Sequence, residues 1–269
     1  ETTHKQTMLS PETKEFIKEH KNEDPRALAL QAKRYPAVDI REAVTQIEGW
    51  QAAKEKLPTW AETDGIIYPP RISMEQCSSE PTALYKAAIA KGDRLADLTG
   101  GFGIDCSYMS EHFDETTYIE RNEELCQIAR HNFGLLGLPI QVVNGNSAEM
   151  LPSMPLQDWI FLDPARRDGI GNKVVALSDC EPDVCQMEAL LLQKAAHVMV
   201  KCSPMLDISQ ALAQLTSVRE VHVVSVSNEC KELLLVLGGR AGGGVSVCTV
   251  NFHGNHVHTF DFTYEEEQE

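Results

Sequence analysis

The chain has 269 residues, of which 42% are hydrophobic and 24% are charged, and its formal net charge is −16. Such a chain can bury the core of one large domain, or of one domain with a small appendage. The negative charge argues against tight nucleic-acid binding by this chain alone, because phosphate contacts need Lys and Arg. No apolar run reaches the roughly 18 residues of a membrane span, so we expect no membrane partner. The N-terminus is polar and carries charges of both signs, which predicts no signal peptide.

Eight cysteines are spread along the chain without C-x-x-C pairs. This pattern predicts reduced thiols and therefore a cytoplasmic protein. Cys180 and Cys185 have no histidine at zinc-ligand spacing. His253, His256 and His258 lie close together near the C-terminus, but without a carboxylate or cysteine at matching spacing. We therefore expect no metal site.

Residues 1–65 have the pattern of short helices. Ser10-Pro11 and Asp24-Pro25 each place a capping side chain before a proline, which suits the first position of a helix. Asp39 precedes a segment with apolar residues at helical spacing, and Glu42 lies at the capping-box position, so Asp39 is predicted to cap a third helix. We predict a helical subdomain that packs against the rest of the chain. A subdomain that recognises substrate is the alternative.

The stretch RLADLTGGFGIDC, from Arg94 to Cys106, contains an apolar run, three glycines within four positions and the start of a helical pattern. A strand, a tight glycine turn and a helix form the nucleotide-binding corner of open α/β sheets. A dinucleotide fingerprint needs a third glycine where this chain has Cys106. The glycines would let the backbone approach a ligand without a Cβ clash. A glycine-rich surface turn is the alternative.

Strands and helices alternate after residue 94, which predicts a mostly parallel, doubly wound sheet. A short link over 227–232 predicts that the last two strands of this sheet are antiparallel. Two alternating segments near the C-terminus predict a β-hairpin, and the acidic residues 265–269 are expected to be solvated. The predicted strands are 94–98, 116–120, 140–143, 159–162, 198–200, 221–226 and 233–237, the helices are 104–112, 122–136, 183–196 and 207–215, and the hairpin strands are 246–252 and 256–262.

Polar residues follow two of the predicted strands. Glu120 comes about 20 residues after the glycine turn, where an acid can accept hydrogen bonds from ribose hydroxyls. A solvated strand-end acid is the alternative. Arg121 follows it and could line an adenine site or lie beside a helix cap. Asn146 follows the third strand, where it could contact a base or form an Asx turn.

The fourth predicted strand ends in Asp163 and Pro164. An exocyclic amine is a poor nucleophile, and an Asp side chain with a Pro-fixed carbonyl can accept its hydrogens and orient it. Arg166 and Arg167 follow, and guanidinium groups can stack on a base or bind a phosphate. A salt-bridged strand end is the alternative.

Lys201 and Cys202 follow the fifth predicted strand. A thiolate can attack C6 of a pyrimidine, and Lys201 could lower the pKa of the thiol. A lone cysteine after a strand is more often inert. Covalent catalysis through Cys202 is therefore the second mechanism.

The glycine turn resembles motif I of the class I S-adenosylmethionine (AdoMet) methyltransferases. DPARR resembles motif IV of amine- and base-modifying methyltransferases, written D/N-P-P-x, with Ala165 in place of the second proline and Arg166 in place of the stacking aromatic. With residues 76–82 and KCSPMLD, these motifs resemble a bacterial family of class I methyltransferases that carry a C-terminal THUMP-like domain. The resemblance implies a Rossmann-like α/β fold with a seven-stranded sheet. It divides the chain into a helical subdomain (1–65), a methyltransferase domain (66–241) and a β-hairpin with an acidic tail (242–269).

The resemblance also implies a function and a set of site residues. THUMP-type domains are associated with RNA, which implies methylation of a base nitrogen in tRNA or rRNA. That domain is expected to be missing here beyond the hairpin, which would reconcile an acidic chain with an RNA substrate. The alternatives are C5 methylation of a pyrimidine through Cys202, a non-catalytic AdoMet-binding scaffold, or a small-molecule or protein substrate. The implied residues are Asp97, Thr99, Gly100, Gly101, Phe102, Gly103, Asp105, Glu120, Arg121, Asn146, Ser147 and Ala148 for the cofactor, Asp163, Pro164, Ala165 and Arg166 for catalysis, and Arg166, Arg167 and Lys201 for the substrate.

Overall fold

A computed structural model describes residues 9–167, 175–238 and 244–266. The predicted domain boundary after residue 241 and the last three residues of the acidic tail lie outside these ranges. Within the described ranges, no helix has both the length and the apolar character that crossing a membrane would require.

Helices form the N-terminal part of the chain, as predicted. Ser10 and Asp24 accept hydrogen bonds from the backbone of the helices that they precede, and Asp39 caps the longest helix of this part in the same way. The three predicted caps are therefore confirmed. The helices are α1 (Pro11–His20), α2 (Pro25–Ala29), α3 (Ile40–Lys56), α4 (Pro58–Ala61), α5 (Arg71–Gln76) and α6 (Glu80–Ile89).

The rest of the chain alternates between strands and helices, so the predicted α/β fold is confirmed. The strands are β1 (Gly92–Asp97), β2 (Phe113–Glu120), β3 (Ile140–Asn144), β4 (Gln157–Leu162), β5 (Ala165–Arg166), β6 (Cys180–Glu181), β7 (Ala195–Cys202), β8 (Val218–Val226), β9 (Glu229–Gly238), β10 (Ser246–His253) and β11 (His256–Thr263). The helices are α7 (Ile104–Ser110), α8 (Glu123–Leu135), α9 (Ser147–Met150), α10 (Val184–Lys194) and α11 (Ile208–Gln214).

Nine strands form the central sheet, in the order β11-β10-β8-β9-β7-β4-β1-β2-β3. Strands β3, β2, β1, β4 and β7 are parallel to one another, as predicted for most of the sheet. Strand β9 is antiparallel to β8, as predicted, and also to β7. The C-terminal hairpin is also confirmed, but it extends the sheet because β10 pairs with β8 along its length. Val247 and Val250 of β10 are buried, so this pairing removes apolar surface from water.

The central strands are buried on both faces, because helices cover both sides of a parallel sheet. In β4, Ile160 and Leu162 enter one core, whereas Trp159 and Phe161 enter the core on the opposite face. This alternation follows from the two-residue period of a strand. Because the middle of β4 carries apolar side chains on both faces, a polar side chain such as that of Asp163 lies at the strand end, where a site can form.

Two buried amide side chains fasten the segment between the helical subdomain and the sheet. Gln46 accepts a hydrogen bond from the Tyr68 N–H at 2.8 Å and donates one to the Tyr68 carbonyl at 2.9 Å. Asn132 accepts from the Ile67 N–H at 2.9 Å and donates to the Ile67 carbonyl at 2.8 Å. Trp60 then packs edge-on against Phe102 of the glycine turn, with ring centroids 5.2 Å apart. The helical subdomain therefore supports the turn directly.

Replacing Asn132 with Ala leaves the Ile67 N–H and C=O without these partners in a buried environment. We expect the free energy of unfolding to fall by about 1–3 kcal/mol. Arg130→Ala, on the exposed face of the same helix, is the matched control and should change stability by no more than about 0.5 kcal/mol. Urea denaturation measures both, and equal stability of the two variants would contradict the role of Asn132.

Candidate functional site

The carboxyl ends of β1, β2, β4 and β7 surround a cavity of about 760 Å³. Ligand sites in proteins commonly have volumes of roughly 300–1,000 Å³. Of the predicted site residues, Ala148 and Arg167 are not among those that line it. The predicted residues that do line it are Asp97, Thr99, Gly100, Gly101, Phe102, Gly103, Asp105, Glu120, Arg121, Asn146, Ser147, Asp163, Pro164, Ala165, Arg166 and Lys201.

The glycine turn and Glu120 are joined by a hydrogen bond. The Gly101 N–H donates to Glu120 Oε2 at 3.0 Å, and the Asn122 N–H donates to Glu120 Oε1 at 2.8 Å. Gly101 has a φ of +56°, a conformation that favours glycine. The Glu120 carboxylate is thus held in place by two backbone donors, and each of its oxygens keeps acceptor capacity for a ligand.

Gly100 and Gly103, the other two glycines of the turn, leave no room for a Cβ because aromatic side chains of the protein lie against them. A Cβ on Gly100 would lie 2.2 Å from Cε2 of Tyr118, and one on Gly103 would lie 2.7 Å from Cζ of Phe133. The sequence pattern suggested that these glycines make room for a ligand. The structure shows that Gly100 and Gly103 instead make room for two buried aromatic rings, and Tyr118 also donates its hydroxyl hydrogen to the Gly101 carbonyl at 2.5 Å.

Asp97 lies at the end of β1 with only 1% of its surface exposed. Its Oδ1 accepts a hydrogen bond from the Thr99 N–H at 3.0 Å, and Thr99 Oγ1 accepts one from the Asp163 N–H at 2.7 Å. The ends of β1 and β4 are therefore linked through Thr99. Burial raises the pKa of Asp97 well above its usual value, and the neighbouring carboxylates of Asp105 and Asp163 add to this effect. A cation bound beside Asp97 would reverse the shift.

The residues predicted for an adenine site are engaged within the protein. Asn146 caps α9 by accepting a hydrogen bond from the Ala148 N–H, and it donates to Glu149. This is the Asx alternative that the sequence left open. Arg121 forms an ion pair with Glu181 at 3.1 Å, and Asn122 caps α8. Asn146 and Arg121 nevertheless line the cavity.

The two arginines after Asp163 occupy different places. Arg166 belongs to the short β5–β6 ribbon and lines the cavity. Arg167 donates from its guanidinium to the Ser178 carbonyl at 2.6 Å and lies 3.9 Å from Asp183. Arg167 therefore makes polar contacts at the strand end, which the sequence analysis gave as the alternative to substrate binding.

Lys201 contacts Asp163 with its ammonium group, at 2.8 Å from Oδ2. Behind this pair lie Lys86 and Glu232, two buried charged residues that the sequence analysis missed. Lys86 gave a sequence signal, because it is the single charge inside the apolar segment ALYKAAIA, and such a charge indicates a buried partner. Glu232 gave no such signal, because it lies beside Lys231.

Cys202 lines the cavity, but its environment disfavours a thiolate. Burial raises the pKa of its thiol, and the carboxylate of Asp163 raises it further. Lys201 acts in the opposite direction, as expected from the sequence, but it does not outweigh burial. Burial is the larger effect, so the pKa of the Cys202 thiol is raised overall.

Comparison with known proteins gives a strong match to a solved structure. A protein from Porphyromonas gingivalis W83, described as a "putative methyltransferase", is 33% identical to this chain, and the match covers 97% of this chain and 68% of that one with a TM-score of 0.81. A methyltransferase from Geobacter sulfurreducens matches at 13% identity over 60% of this chain and 78% of that one, with a TM-score of 0.44. The Pyrococcus abyssi tRNA (uracil-54, C5)-methyltransferase, solved with S-adenosyl-L-homocysteine, matches at 13% identity over 60% and 39%, with a TM-score of 0.41. The last two scores are too low to transfer an activity. No family model and no curated protein matches the chain.

The sheet order and the polar strand ends around one cavity define the class I methyltransferase fold. At 33% identity over nearly its whole length, the chain belongs to the same methyltransferase family as the Porphyromonas protein.

Replacing Gly100 with Ala tests whether Tyr118 dictates the glycine turn. We expect a loss of about 1–3 kcal/mol in the free energy of unfolding, because Tyr118 is fully buried and cannot move aside freely. Gly134→Ala is the matched control, because nothing lies within 4 Å of its added Cβ in α8. That variant should be stabilised by up to about 1 kcal/mol. Denaturation in urea compares the two, and a Gly100→Ala variant as stable as wild type would show that the ring does not constrain the turn.

Proposed function

We propose that the chain transfers a methyl group from AdoMet to a base nitrogen of RNA, in a tRNA or an rRNA. The observation that carries this proposal is that three strand-end carboxylates, Asp97, Glu120 and Asp163, line one cavity together with the glycine turn. When bound, AdoMet supplies a methyl group on a positively charged sulfonium. The residues of the cavity provide the binding, the orientation and the hydrogen-bond acceptors.

The cavity fits AdoMet in size and in chemistry. Its volume of about 760 Å³ is sufficient for a nucleoside with an amino-acid side chain. Asp97 is a buried carboxyl group whose raised pKa a bound cation would lower. Glu120 is held by the Gly101 N–H with its remaining acceptor capacity available for ribose hydroxyls. AdoMet carries both features, a cationic group and a ribose.

We assign to Asp163 and Pro164 the role of binding and orienting the substrate nucleophile. A carboxylate that accepts a hydrogen of an exocyclic amine directs the nitrogen lone pair toward the methyl group and stabilises the charge that develops. The Asp163 side chain is 39% exposed, and Asp163 and Pro164 line the cavity. Its position at the end of β4 is set by the hydrogen bond from its N–H to Thr99. The catalytic carboxylate and the proposed AdoMet site are thereby linked.

Cationic side chains on the cavity wall support the proposal that the substrate is a polyanion such as RNA. Arg121, Arg166 and Lys231 line the cavity, in a chain whose formal net charge is −16. Arg121 and Lys231 pair with the exposed acids Glu181 and Glu229, which a phosphate would have to displace. Arginine can hold a phosphate or stack on a base. We also place the chain among the methyltransferases with a C-terminal THUMP-like domain, because its motifs resemble theirs. Such a domain would supply the basic surface that RNA binding needs.

A cytoplasmic location agrees with this proposal. All eight cysteines lie within the described ranges, and each is a free thiol. Free thiols are typical of reducing compartments.

The alternative hypotheses require different features of the site. C5 methylation of a pyrimidine would require a Cys202 thiolate, which burial disfavours. A small-molecule or protein substrate would explain the acidic surface more simply, and a non-catalytic scaffold would bind AdoMet without turnover. Substrate assays separate these readings.

Substitution of the two cofactor carboxylates tests the AdoMet site. We expect Asp97→Asn and Glu120→Gln each to weaken AdoMet binding about 10- to 100-fold, because a hydrogen bond to a charged group contributes about 1.5–3 kcal/mol. Isothermal titration calorimetry measures the dissociation constants. Glu115→Gln, which removes an exposed acid from the same strand as Glu120, is the control and should bind like wild type.

The pH dependence provides a second measurement on the same proteins. Because the pKa of Asp97 is raised in the free protein and a bound cation lowers it, AdoMet binding should release protons and strengthen as the pH rises. Asp97→Asn should weaken this dependence. No saturable AdoMet binding by wild type would disprove the proposal.

Methyl transfer tests the substrate and the role of Asp163. Full-length protein is incubated with labelled AdoMet and unmodified bacterial RNA, and the modified base is mapped by mass spectrometry. We expect Asp163→Asn to lower the rate at least about 100-fold, because it loses the anionic acceptor that orients the amine. Glu115→Gln should retain the wild-type rate.

Two other experimental outcomes would favour the alternative hypotheses. Loss of activity in Cys202→Ser, with label at C5 of a pyrimidine, would favour covalent catalysis. A wild-type protein that binds AdoMet but methylates no RNA would contradict the RNA proposal.

A further inference from the structure

A chain of acidic and basic side chains extends from Asp163 through the protein interior to Asp105. Asp163 Oδ2 lies 2.8 Å from Lys201 Nζ, and Lys201 Nζ lies 4.0 Å from Glu232 Oε2. Glu232 Oε1 lies 2.5 Å from Lys86 Nζ, which is 3.1 Å from Asp105 Oδ1. We call these five residues the ion chain.

The members of the ion chain come from separate elements. Lys86 belongs to α6, Glu232 to β9 and Lys201 to β7, whereas Asp163 follows β4. The side chain of Lys86 is fully buried and that of Glu232 is 3% exposed, and neither residue lines the cavity. Lys201 and Asp163 do line it. Asp105, at the other end of the ion chain, also lines it. Both ends of the ion chain therefore face the site, and its middle members, Glu232 and Lys86, lie in the protein interior.

Stability is a weak explanation for this arrangement. Removing charges from water costs several kcal/mol per ion, and replacing a buried ion pair by apolar residues is often neutral or stabilising. Buried pairs are better attested as devices that select one arrangement of the structure. In this protein, the arrangement that they select includes the carboxylate assigned to catalysis.

We propose that Lys201 and Glu232 are positioning residues for Asp163. Glu232, held by Lys86, holds the ammonium group of Lys201, and Lys201 holds the Asp163 carboxylate in the orientation that receives the nucleophile. This inference rests on the proposed function. It replaces the substrate contact that the sequence predicted for Lys201.

The contacts around Asp163 support this assignment. Its N–H donates to Thr99 Oγ1, and its Oδ2 accepts from Lys201, so both its backbone and its side chain are anchored. Burial alone would lower the pKa of Lys201, but the carboxylates of Asp163, Asp105 and Glu232 outweigh burial and raise it. Lys201 therefore remains an ammonium group at neutral pH. It acts as a hydrogen-bond donor and has no role as a base.

The kinetic test is Glu232→Gln, which removes a charge distant from the substrate. We expect kcat for methyl transfer to fall about 10- to 100-fold, because Asp163 loses its fixed orientation. At saturating AdoMet, KM for the substrate should stay within about twofold of wild type, because Glu232 does not line the cavity. Glu229→Gln is the matched control: it removes an exposed acid from the same strand and should leave kcat unchanged. An unchanged kcat in Glu232→Gln overturns the proposal.

Lys201 itself provides a second pair of variants if Glu232→Gln does not fold, which circular dichroism would show. Lys201→Arg keeps a cationic donor beside Asp163, whereas Lys201→Met removes it. We expect Lys201→Arg to retain at least about tenfold more activity than Lys201→Met at equal AdoMet affinity. Equal activity of the two variants contradicts a positioning role.

A measurement without substrate separates this inference from the proposed function. Acetic anhydride acetylates only neutral amines, and mass spectrometry follows the modification of Lys201. Loss of the Glu232 charge lowers the pKa of Lys201. Acetic anhydride should therefore modify Lys201 severalfold faster in Glu232→Gln than in wild type or in Glu229→Gln. Equal rates would show that the ion chain does not act on Lys201. Absence of methyl transfer by wild type would instead disprove the proposed function, and with it the role of Asp163.

Discussion

The cavity depends on the reversal of strand order between β1 and β4. From β1 the chain continues to β2 and β3 on one side, and it then returns to place β4 on the other side of β1. The loops after β1 and β4 therefore leave the sheet in opposite directions, and a crevice opens at their carboxyl ends. Backbone contacts hold the two ends together: the Leu98 N–H donates to the Phe161 carbonyl, and the Asp163 N–H donates to Thr99. Only this topology brings Asp97 and Asp163, which are far apart in the sequence, to one cavity.

The electrostatics of the cavity follow from this geometry. Five acidic residues, Asp97, Asp105, Glu120, Asp163 and Glu181, line the cavity, and they include a fully buried acid at the end of β1. Carboxylates so close together raise one another's pKa unless cations compensate. The pKa of Asp105 is lowered because Lys86 and Lys201 outweigh its burial, whereas burial raises the pKa of Asp97 well above its usual value. The cavity is thus suited to a cationic ligand near Asp97.

Much of the fold and part of the site were predictable from local sequence patterns. The caps at Ser10, Asp24 and Asp39, the alternation of strands and helices and the C-terminal hairpin all depend on residues close together in the chain. The proximity of Gly101 and Glu120 was also predictable, because the carboxyl ends of neighbouring parallel strands lie at the same edge of a sheet. The hairpin's addition to the sheet was not predicted, because strand periodicity does not identify a strand's partner.

The sequence by itself therefore determined the elements, their order and the edge of the sheet where the polar residues gather, because hydrophobic periodicity, capping and turn residues act over a few positions. Only the tertiary structure decided which side chains meet. Gly100 faces Tyr118 rather than a ligand, and Lys86 pairs with Glu232, which lies 146 positions further along the chain. Such contacts depend on how separate elements pack. A local pattern can show that a buried charge needs a partner, but the fold selects the partner.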